Sequence, residues 1–207
     1  KQGKLQGLMA DMTNAQFDAL VLDAMKLSTG AFSFDPMELM NRRRFLLQQP
    51  VSGQVQIKLS EAHLNQYFSN PHTLEKLEKA ANKKLGNIGL IKLSNPSLAL
   101  LGKNRLKAAM SVSLGGAVAT PVEMVGNLNL QQGKIMLTDV TMTSNGTALP
   151  IDLTSVFAQK FNEAIDLERL GKKSFVVNVN RLNTVGKTLD LTGQVRLTKL
   201  EFGGKKS

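Results

Sequence analysis

Long runs of alternating apolar and polar residues are the feature of this sequence that most constrains its fold. The run NRLKAAMSVSL, residues 104–114, places its apolar side chains on one side of a strand and its charged and hydroxyl side chains on the other. Alternation of this kind predicts antiparallel sheets that have one polar and one apolar face. The same pattern occurs in four further runs, residues 51–60, 118–130, 134–143 and 188–202.

The length of these runs adds a second constraint. They predict strands of roughly 10–14 residues, whereas about 5–6 is usual, and a dozen residues extend for about 40 Å. Long strands twist and curl, so the apolar face has to enclose other elements. In the last run the apolar phase moves to Leu200 and Phe202, which predicts a bulge or twist near Thr198.

Capping signals predict the first helix at FDPMELM. Asp35 is expected to be its N-cap, Pro36 its first residue, and Glu38 the third position of a capping box. The run Arg42–Arg44 follows at the C-terminal end, where positive charge complements the helix dipole. The dipole therefore explains these arginines without a ligand.

A pair of helices is predicted after the strand at residues 51–60. The apolar spacing changes from strand to helix at Ser60, which is expected to cap a helix over residues 61–69. Asn70-Pro71 breaks the chain, and Thr73 is expected to cap a second helix that runs to about Leu85.

The strongest helical stretch is IDLTSVFAQKFNEAIDLERLG. Asp152 is its predicted N-cap and Gly171 its C-terminal glycine. Because helices alternate irregularly with hairpins, we predict an α+β fold in which one long, curled antiparallel sheet wraps around helices. The apolar stripe of this helix is Leu153, Val156, Phe157, Phe161, Ala164 and Ile165.

Composition limits the classes of function. The chain has no cysteine, which excludes thiolate chemistry, and no apolar run reaches the roughly 20 residues that span a bilayer. Any contact with a membrane is therefore expected to be peripheral. The formal net charge of +10 suits anionic lipid or nucleic acid. Nucleic acid is the weaker of the two, since there is one Tyr, no Trp and no motif that interleaves basic and aromatic residues.

The sequence contains no recognisable catalytic motif, such as GxSxG, a P-loop, GxGxxG or HExxH. Its two histidines, His63 and His72, lie on different predicted helices, and ordinary surface or capping roles account for them. We therefore expect a binding protein rather than an enzyme, with neither cofactor nor metal.

Three segments carry a resemblance to a known family. QIKLSEAHLNQYFSNP, residues 56–71, resembles the V-x-L-T/S-E-x-D-L-N-x-A-L-x-S-P signature of the LmeA-like phospholipid-binding family, which is common in cyanobacteria. QGKLQGL (residues 2–8) and LTGQVRLTKLEF (residues 191–202) resemble its opening and closing strands. His63 departs from the signature, because the family more often has an acidic residue there that completes a capping box with Ser60.

The resemblance implies a tubular lipid-binding (BPI-like) architecture with an apolar groove for acyl chains, and no established enzymatic activity. Family members commonly begin with a further N-terminal helical segment, so residues 1–207 are expected to be one lipid-binding domain that lacks it. The expected function is lipid binding or lipid transfer. The lining could equally be packed core, since both use apolar residues. Its candidate residues are Leu64, Tyr67, Phe68, Met110, Met124, Met142, Phe157, Phe161 and Ile165.

The expected partners are a phospholipid or glycolipid and an anionic membrane surface, with Arg42, Arg43 and Arg44 as candidate headgroup contacts. The compartment and the oligomeric state stay open. One alternative is a scaffold or assembly protein whose groove receives a protein partner. Another, nucleic-acid binding through the basic surface, predicts salt-dependent binding that ignores sequence.

Overall fold

The structure is a computed structural model that describes residues 3–17, 19–42, 44–45, 47–84, 91–148, 151–164, 167, 175–198 and 200–201. Its helices are α1 (Pro36–Arg42), α2 (Glu61–Phe68), α3 (Pro71–Lys84) and α4 (Ile151–Ala164). Its strands are β1 (Gly3–Leu5), β2 (Met9–Phe17), β3 (Leu20–Thr29), β4 (Phe32–Phe34), β5 (Arg44–Phe45), β6 (Val51–Ser60), β7 (Ile91–Leu100), β8 (Arg105–Leu114), β9 (Thr120–Gln131), β10 (Lys134–Ser144), β11 (Thr147–Ala148), β12 (Phe175–Val185), β13 (Thr188–Leu197) and β14 (Leu200–Glu201).

Two five-stranded antiparallel sheets dominate the fold. Sheet I has the order β12-β13-β6-β3-β2, and sheet II the order β11-β10-β9-β8-β7. The predicted α+β class is confirmed, but the prediction of one continuous sheet is wrong. The chain leaves sheet I at Ser60, and α2 and α3 carry it across to β7 at the edge of sheet II. The change of period at Ser60 therefore marks the crossing between two sheets.

The sheets meet where two turns of sheet II reach β12. Val179 N–H donates to the carbonyl of Gly133 at 2.9 Å. In the β7–β8 turn, Asn104 Oδ1 accepts from Thr184 N–H at 2.9 Å, and its Nδ2 donates to the Leu182 carbonyl at 3.2 Å. Gly133 has a φ of 77°, and a Cβ there would collide with the side chain of Asn178. A side chain at this position would be strained by the positive φ and would have to displace the side chain of Asn178.

The five predicted strands all form, as β6, β8, β9, β10 and β13, each 10–12 residues long. The last run differs in detail. β13 ends at Leu197, and β14 pairs with β5 in a separate two-stranded sheet. The phase change expected as a bulge near Thr198 is therefore the point where the chain leaves sheet I.

Local capping signals were accurate for two helices. Asp35 Oδ1 accepts from Met37 N–H at 2.8 Å, and Ser60 Oγ accepts from His63 N–H at 3.3 Å, so both predicted caps are confirmed. Thr73 as a cap is wrong: α3 already begins at Pro71, after Asn70, and Thr73 is buried within it.

The cap of α3 is Asn70, whose Oδ1 accepts from His72 N–H at 3.0 Å. The predicted end near Leu85 lies outside the described residues. α4 begins at Ile151, so Asp152 belongs to its first turn and not to its cap, while Gly171 lies outside the described residues.

One hydrophobic core runs through both sheets and is covered by the helices. Leu64 of α2, Leu106 of β8 and Leu128 of β9 are among its fully buried side chains. α4 packs along β10, where Asn162 Oδ1 accepts from Leu137 N–H at 2.6 Å. α2 and α3 contact the edge strand β7, and α3 contacts α4, so the helices extend across sheet II from β7 to β10.

Candidate functional site

The free edge of β7 is held by side chains from α2 and α3. Asn65 Oδ1 accepts from Leu98 N–H at 2.7 Å, and its Nδ2 donates to the Leu98 carbonyl at 2.8 Å. One turn earlier on α2, Glu61 Oε2 accepts from Leu100 N–H at 2.9 Å. This first clamp, Glu61 and Asn65, replaces the hydrogen bonds that a further strand would make.

A second clamp of the same composition holds the other end of β7. Asn82 bonds both backbone groups of Ile91, at 2.7 and 3.3 Å, and Glu78 Oε1 accepts from Leu93 N–H at 2.9 Å. In both clamps an Asn follows a Glu by four residues, which places the two side chains on one helix face. The spacing Glu-x-x-x-Asn was the signal for this arrangement, and the sequence-based prediction missed it.

Between the clamps the edge of β7 is distorted. The register with β8 shifts between Ser94 and Ser97, and Asn95 adopts a φ of 51°. Pro96 removes one backbone donor from this segment. The two helices thus fasten β7 on both sides of a bulge, and the bulge lies at the mouth of a cleft.

The cleft lies between sheet II and the helices and contains about 470 Å³ of empty space, including its opening to solvent. Helix residues on one side are large, and several sheet residues on the other are small. Ser97 is the exposed member of the lining, which is otherwise apolar. The lining is Phe68, Leu74, Leu77, Pro96, Ser97, Leu98, Ala108, Ala109, Met110, Met124, Phe157 and Phe161.

Ala108 shows why space remains here. It lies on the apolar face of β8 between the larger Leu106 and Met110, and it pairs with Leu98 on one neighbour and Met124 on the other. Because Ala108 carries only a methyl group, space between the sheet and helices α3 and α4 is left unfilled. The small side chain of Ala108, in a row of larger ones, therefore contributes to the cleft.

Phe161 forms the inner wall of the cleft. Its ring stacks on that of Phe68, with a distance of 5.1 Å between the ring centroids and an angle of 1° between the ring planes. Its other neighbours line a small enclosed apolar space between the two sheets, which includes Leu64 and Leu106. Phe161 thus lines both the cleft and this second apolar space.

The structure brings five of the nine candidate lining residues together in the cleft: Phe68, Met110, Met124, Phe157 and Phe161. Of the rest, Leu64 lines the enclosed space, and Tyr67 packs edge-on against Phe68 at 5.3 Å. Met142 is buried in the core beside its register partner Met124 but belongs to neither lining, and Ile165 lies outside the described residues.

Sequence reasoning missed the part of the lining that β7 contributes. The strand is hard to recognise because its buried residues change phase, from Ile91 and Leu93 to Leu98 and Leu100, across the bulge. Leu74 and Leu77 of α3 also line the cleft and were not among the candidate residues. The available signal was two short apolar pairs, one on each side of Asn95-Pro96, that would face opposite sides of a regular strand.

The backbone of the arginine cluster is described at two of its three positions. Arg42 ends α1 and Arg44 begins β5, while Arg43 and the side chains of the other two lie outside the described residues. Neither α1 nor β5 supplies a described residue of the lining. Headgroup contact by Arg42, Arg43 and Arg44 stays a prediction.

Charged groups meet at the start of α2. Burial alone raises the pKa of Asp23, but hydrogen bonds from Ser60 and His63 outweigh it and hold the pKa below its ordinary value. The Leu100 N–H and the Lys187 ammonium, 3.2 Å from Oε1, likewise lower the pKa of Glu61. Both carboxylates therefore stabilise the fold in their ionised form.

The described residues hold no group of three or more His, Cys, Asp or Glu side chains suited to a metal ion. None of the described helices is long and apolar enough to cross a membrane.

Comparison with known families gives one match. The chain fits the LmeA-like phospholipid-binding family over residues 2–194, which include both clamps and every residue of the cleft lining. No curated protein and no solved structure matches the chain. Because the match covers nearly all of its length, the chain belongs to the LmeA-like phospholipid-binding family, as the three sequence segments indicated.

Proposed function

We propose that this member of the LmeA-like phospholipid-binding family is a non-catalytic lipid-binding or lipid-transfer protein that holds acyl chains in the cleft. The observation that carries the proposal is the lining, in which Phe68, Phe157 and Phe161 oppose the small residues of β7 and β8. Each methylene group moved from water into such a lining contributes about 0.8 kcal/mol. An acyl chain therefore binds without any polar contact.

The distribution of polar and apolar groups around the cleft supports this assignment. Its lining is apolar except for Ser97. The exposed Ser97 and the bulge at Asn95 lie on one side of it. We assign the acyl chain to the aromatic inner end, and the polar headgroup to the Ser97 side or to solvent.

A tubular architecture is part of the proposal. Asn65 and Asn82 fasten α2 and α3 to the edge strand β7, and Asn162 fastens α4 to β10. In the proposed architecture the curled sheet and these helices together surround the acyl chain. Phe161, between the cleft and the enclosed space, is then the residue that limits how deep a chain reaches.

Methionines in the lining suit cargo of variable shape. Met110 and Met124 both face the cleft, and their unbranched side chains adapt to different contours at small cost. We therefore expect selectivity to come from headgroup contacts rather than from chain type. Arg42, Arg43 and Arg44 stay candidates for contact with anionic lipid.

The deciding experiment is native mass spectrometry of the purified protein, followed by denaturation and identification of any released lipid. A discrete mass excess that resolves into a phospholipid or glycolipid is the expected result. An unliganded mass that persists after incubation with phosphatidylglycerol vesicles would overturn the proposal. The cleft would then be a site for a protein segment, as in a scaffold protein.

A further inference from the structure

We propose that the β8–β9 tip, residues 114–119, enters the interfacial region of a phospholipid bilayer and so brings the cleft to the membrane surface. The inference rests on the proposed function, because it names the surface through which lipid reaches that cleft. The tip is the sequence LGGAVA between the end of β8 and the start of β9.

The tip is apolar and fully open to solvent. Val118 is 91% exposed and Leu114 is 56% exposed, and the other residues from 114 to 121 are exposed as well. Gly115 and Gly116 turn the chain with φ values of 57° and 82°, and a Cβ at either would have no neighbour within 4 Å. The tip therefore projects from the body of the protein, and nothing in the described chain covers it.

Other hairpin turns in the described chain have a different chemistry. The β7–β8 and β12–β13 turns carry Lys103 and Lys187, the β9–β10 turn carries Gln132 and is followed by Lys134, and the β10–β11 turn carries Asn145. Residues 114–121 include no charged side chain. Exposed turns are ordinarily polar. A turn of Gly, Ala, Val and Leu therefore indicates a surface that is removed from water when the protein functions.

The apolar face of β8 connects the tip to the cleft. Along that face Leu106 is 0% exposed, Ala108 is buried, Met110 and Val112 are half-buried, and Leu114 is exposed. Met110 lines the cleft, and four residues of strand place it about 13 Å from Leu114. An acyl chain that leaves a bilayer at the tip has a continuous apolar path into the cleft.

Positive charge lies beside the tip. Leu114 pairs with Ile91, which Asn82 ties to the last turn of α3, and the exposed Lys83 belongs to that same turn. Lys92, next to Ile91, is also exposed, although Glu78 pairs with it. Lysines at this level are suited to anionic headgroups while Val118 and Leu114 enter the interface.

A competing apolar surface is the exposed pair Met37 (61%) and Met40 (78%) on α1. α1 contributes no described residue to the cleft lining, so a bilayer docked there gains no apolar path to it. The two surfaces lie on separate elements and are distinguished by site-specific probes.

The test uses single tryptophans, because the chain has none of its own. Val118→Trp reports on the tip, Val185→Trp on an exposed valine of the β12–β13 turn, and Met40→Trp on α1. Each variant is mixed with vesicles of phosphatidylglycerol and chain-brominated phosphatidylcholine. We expect quenching and a blue shift for Val118→Trp and neither for the other two. The proposal is overturned if Val118→Trp stays unquenched or if Met40→Trp is the quenched probe.

A second variant separates docking from cargo binding. Val118→Asp is expected to weaken vesicle binding about tenfold, the order that burial of one valine side chain contributes, with Val185→Asp as the control. Binding of monomeric dihexanoyl phosphatidylcholine, measured by native mass spectrometry, should be unchanged in both. If the wild type binds no monomeric lipid, the proposed function fails. If Val118→Asp binds vesicles like the wild type, the docking surface alone fails.

Discussion

The carboxylate of Asp23 on β3 accepts a hydrogen bond from the Ser60 N–H, the N-cap of α2, at 2.5 Å. In a capping box, an acidic side chain at the third helical position accepts this hydrogen bond. Here that position is occupied by His63. The carboxylate has been supplied from a neighbouring strand, and His63 Nδ1 lies 3.1 Å from its second oxygen. The departure of His63 from the family signature is thus matched by a tertiary contact.

Asp23→Ala is expected to lower the free energy of unfolding by about 1 kcal/mol at pH 7, through loss of a partly solvated, charged hydrogen bond to the cap. Because the folded-state pKa of Asp23 lies below its ordinary value of 3.8, its contribution is present above that pH and is lost as the pH falls further. Urea unfolding at pH 7 and pH 3 measures the gap between wild type and variant. A gap that stays constant would contradict this account.

Asn65→Ala should cost about 2–3 kcal/mol, because it leaves both backbone groups of Leu98 without their partner at a half-buried edge. Asn129→Ala is the matched control, since that amide donates an exposed hydrogen bond to the Thr138 hydroxyl, and it should change stability by less than about 0.5 kcal/mol. Denaturant unfolding of the two variants tests the clamp. Equal losses would show that the amide of Asn65 does not hold β7.

Ala108→Leu is expected to fill the cleft and reduce the amount of lipid that copurifies with the protein, while the fold is retained. Ala99→Leu is the control, because Ala99 lies on β7, in the register position beside Lys107 on the opposite face of the sheet. Quantifying lipid per mole of protein compares the two. Undiminished lipid in Ala108→Leu would move the acyl chain out of this cleft.

Replacing Arg42, Arg43 and Arg44 with Glu is expected to weaken sedimentation with phosphatidylglycerol vesicles, most strongly at low salt. The matched variant replaces the exposed residues Lys58, Lys103 and Arg196 with Glu, which changes the net charge by the same amount. Equal weakening in both would indicate long-range charge alone. If the arginine variant sediments like the wild type, the three arginines do not contact headgroups.

Much of the secondary structure could be predicted from the sequence, because strand alternation and helix caps are local signals. β8 and β9 follow directly from their period of two, and Asp35 and Ser60 bond the N–H groups expected of caps. β7 could not be predicted in the same way. Its bulge at Asn95 reverses which residues are buried, and its free edge is satisfied by side chains far along the chain.

The candidate site shows the same division. The sequence identified the apolar residues on each element, and five of them line one cleft. It did not distinguish Met142, which is packed in the core, from Met110, which borders open space. Both occupy inward positions on long strands, and only the neighbours across the interface differ.

By itself, then, the sequence determined the α+β class, the long strands, the caps of α1 and α2, and the family. Tertiary structure decided that there are two sheets, that α2 and α3 clamp β7, and that a cleft opens above Ala108. The reason is physical. Periodicity and capping depend on residues a few positions apart, whereas an empty volume depends on how side chains from three helices and three strands fill the same space.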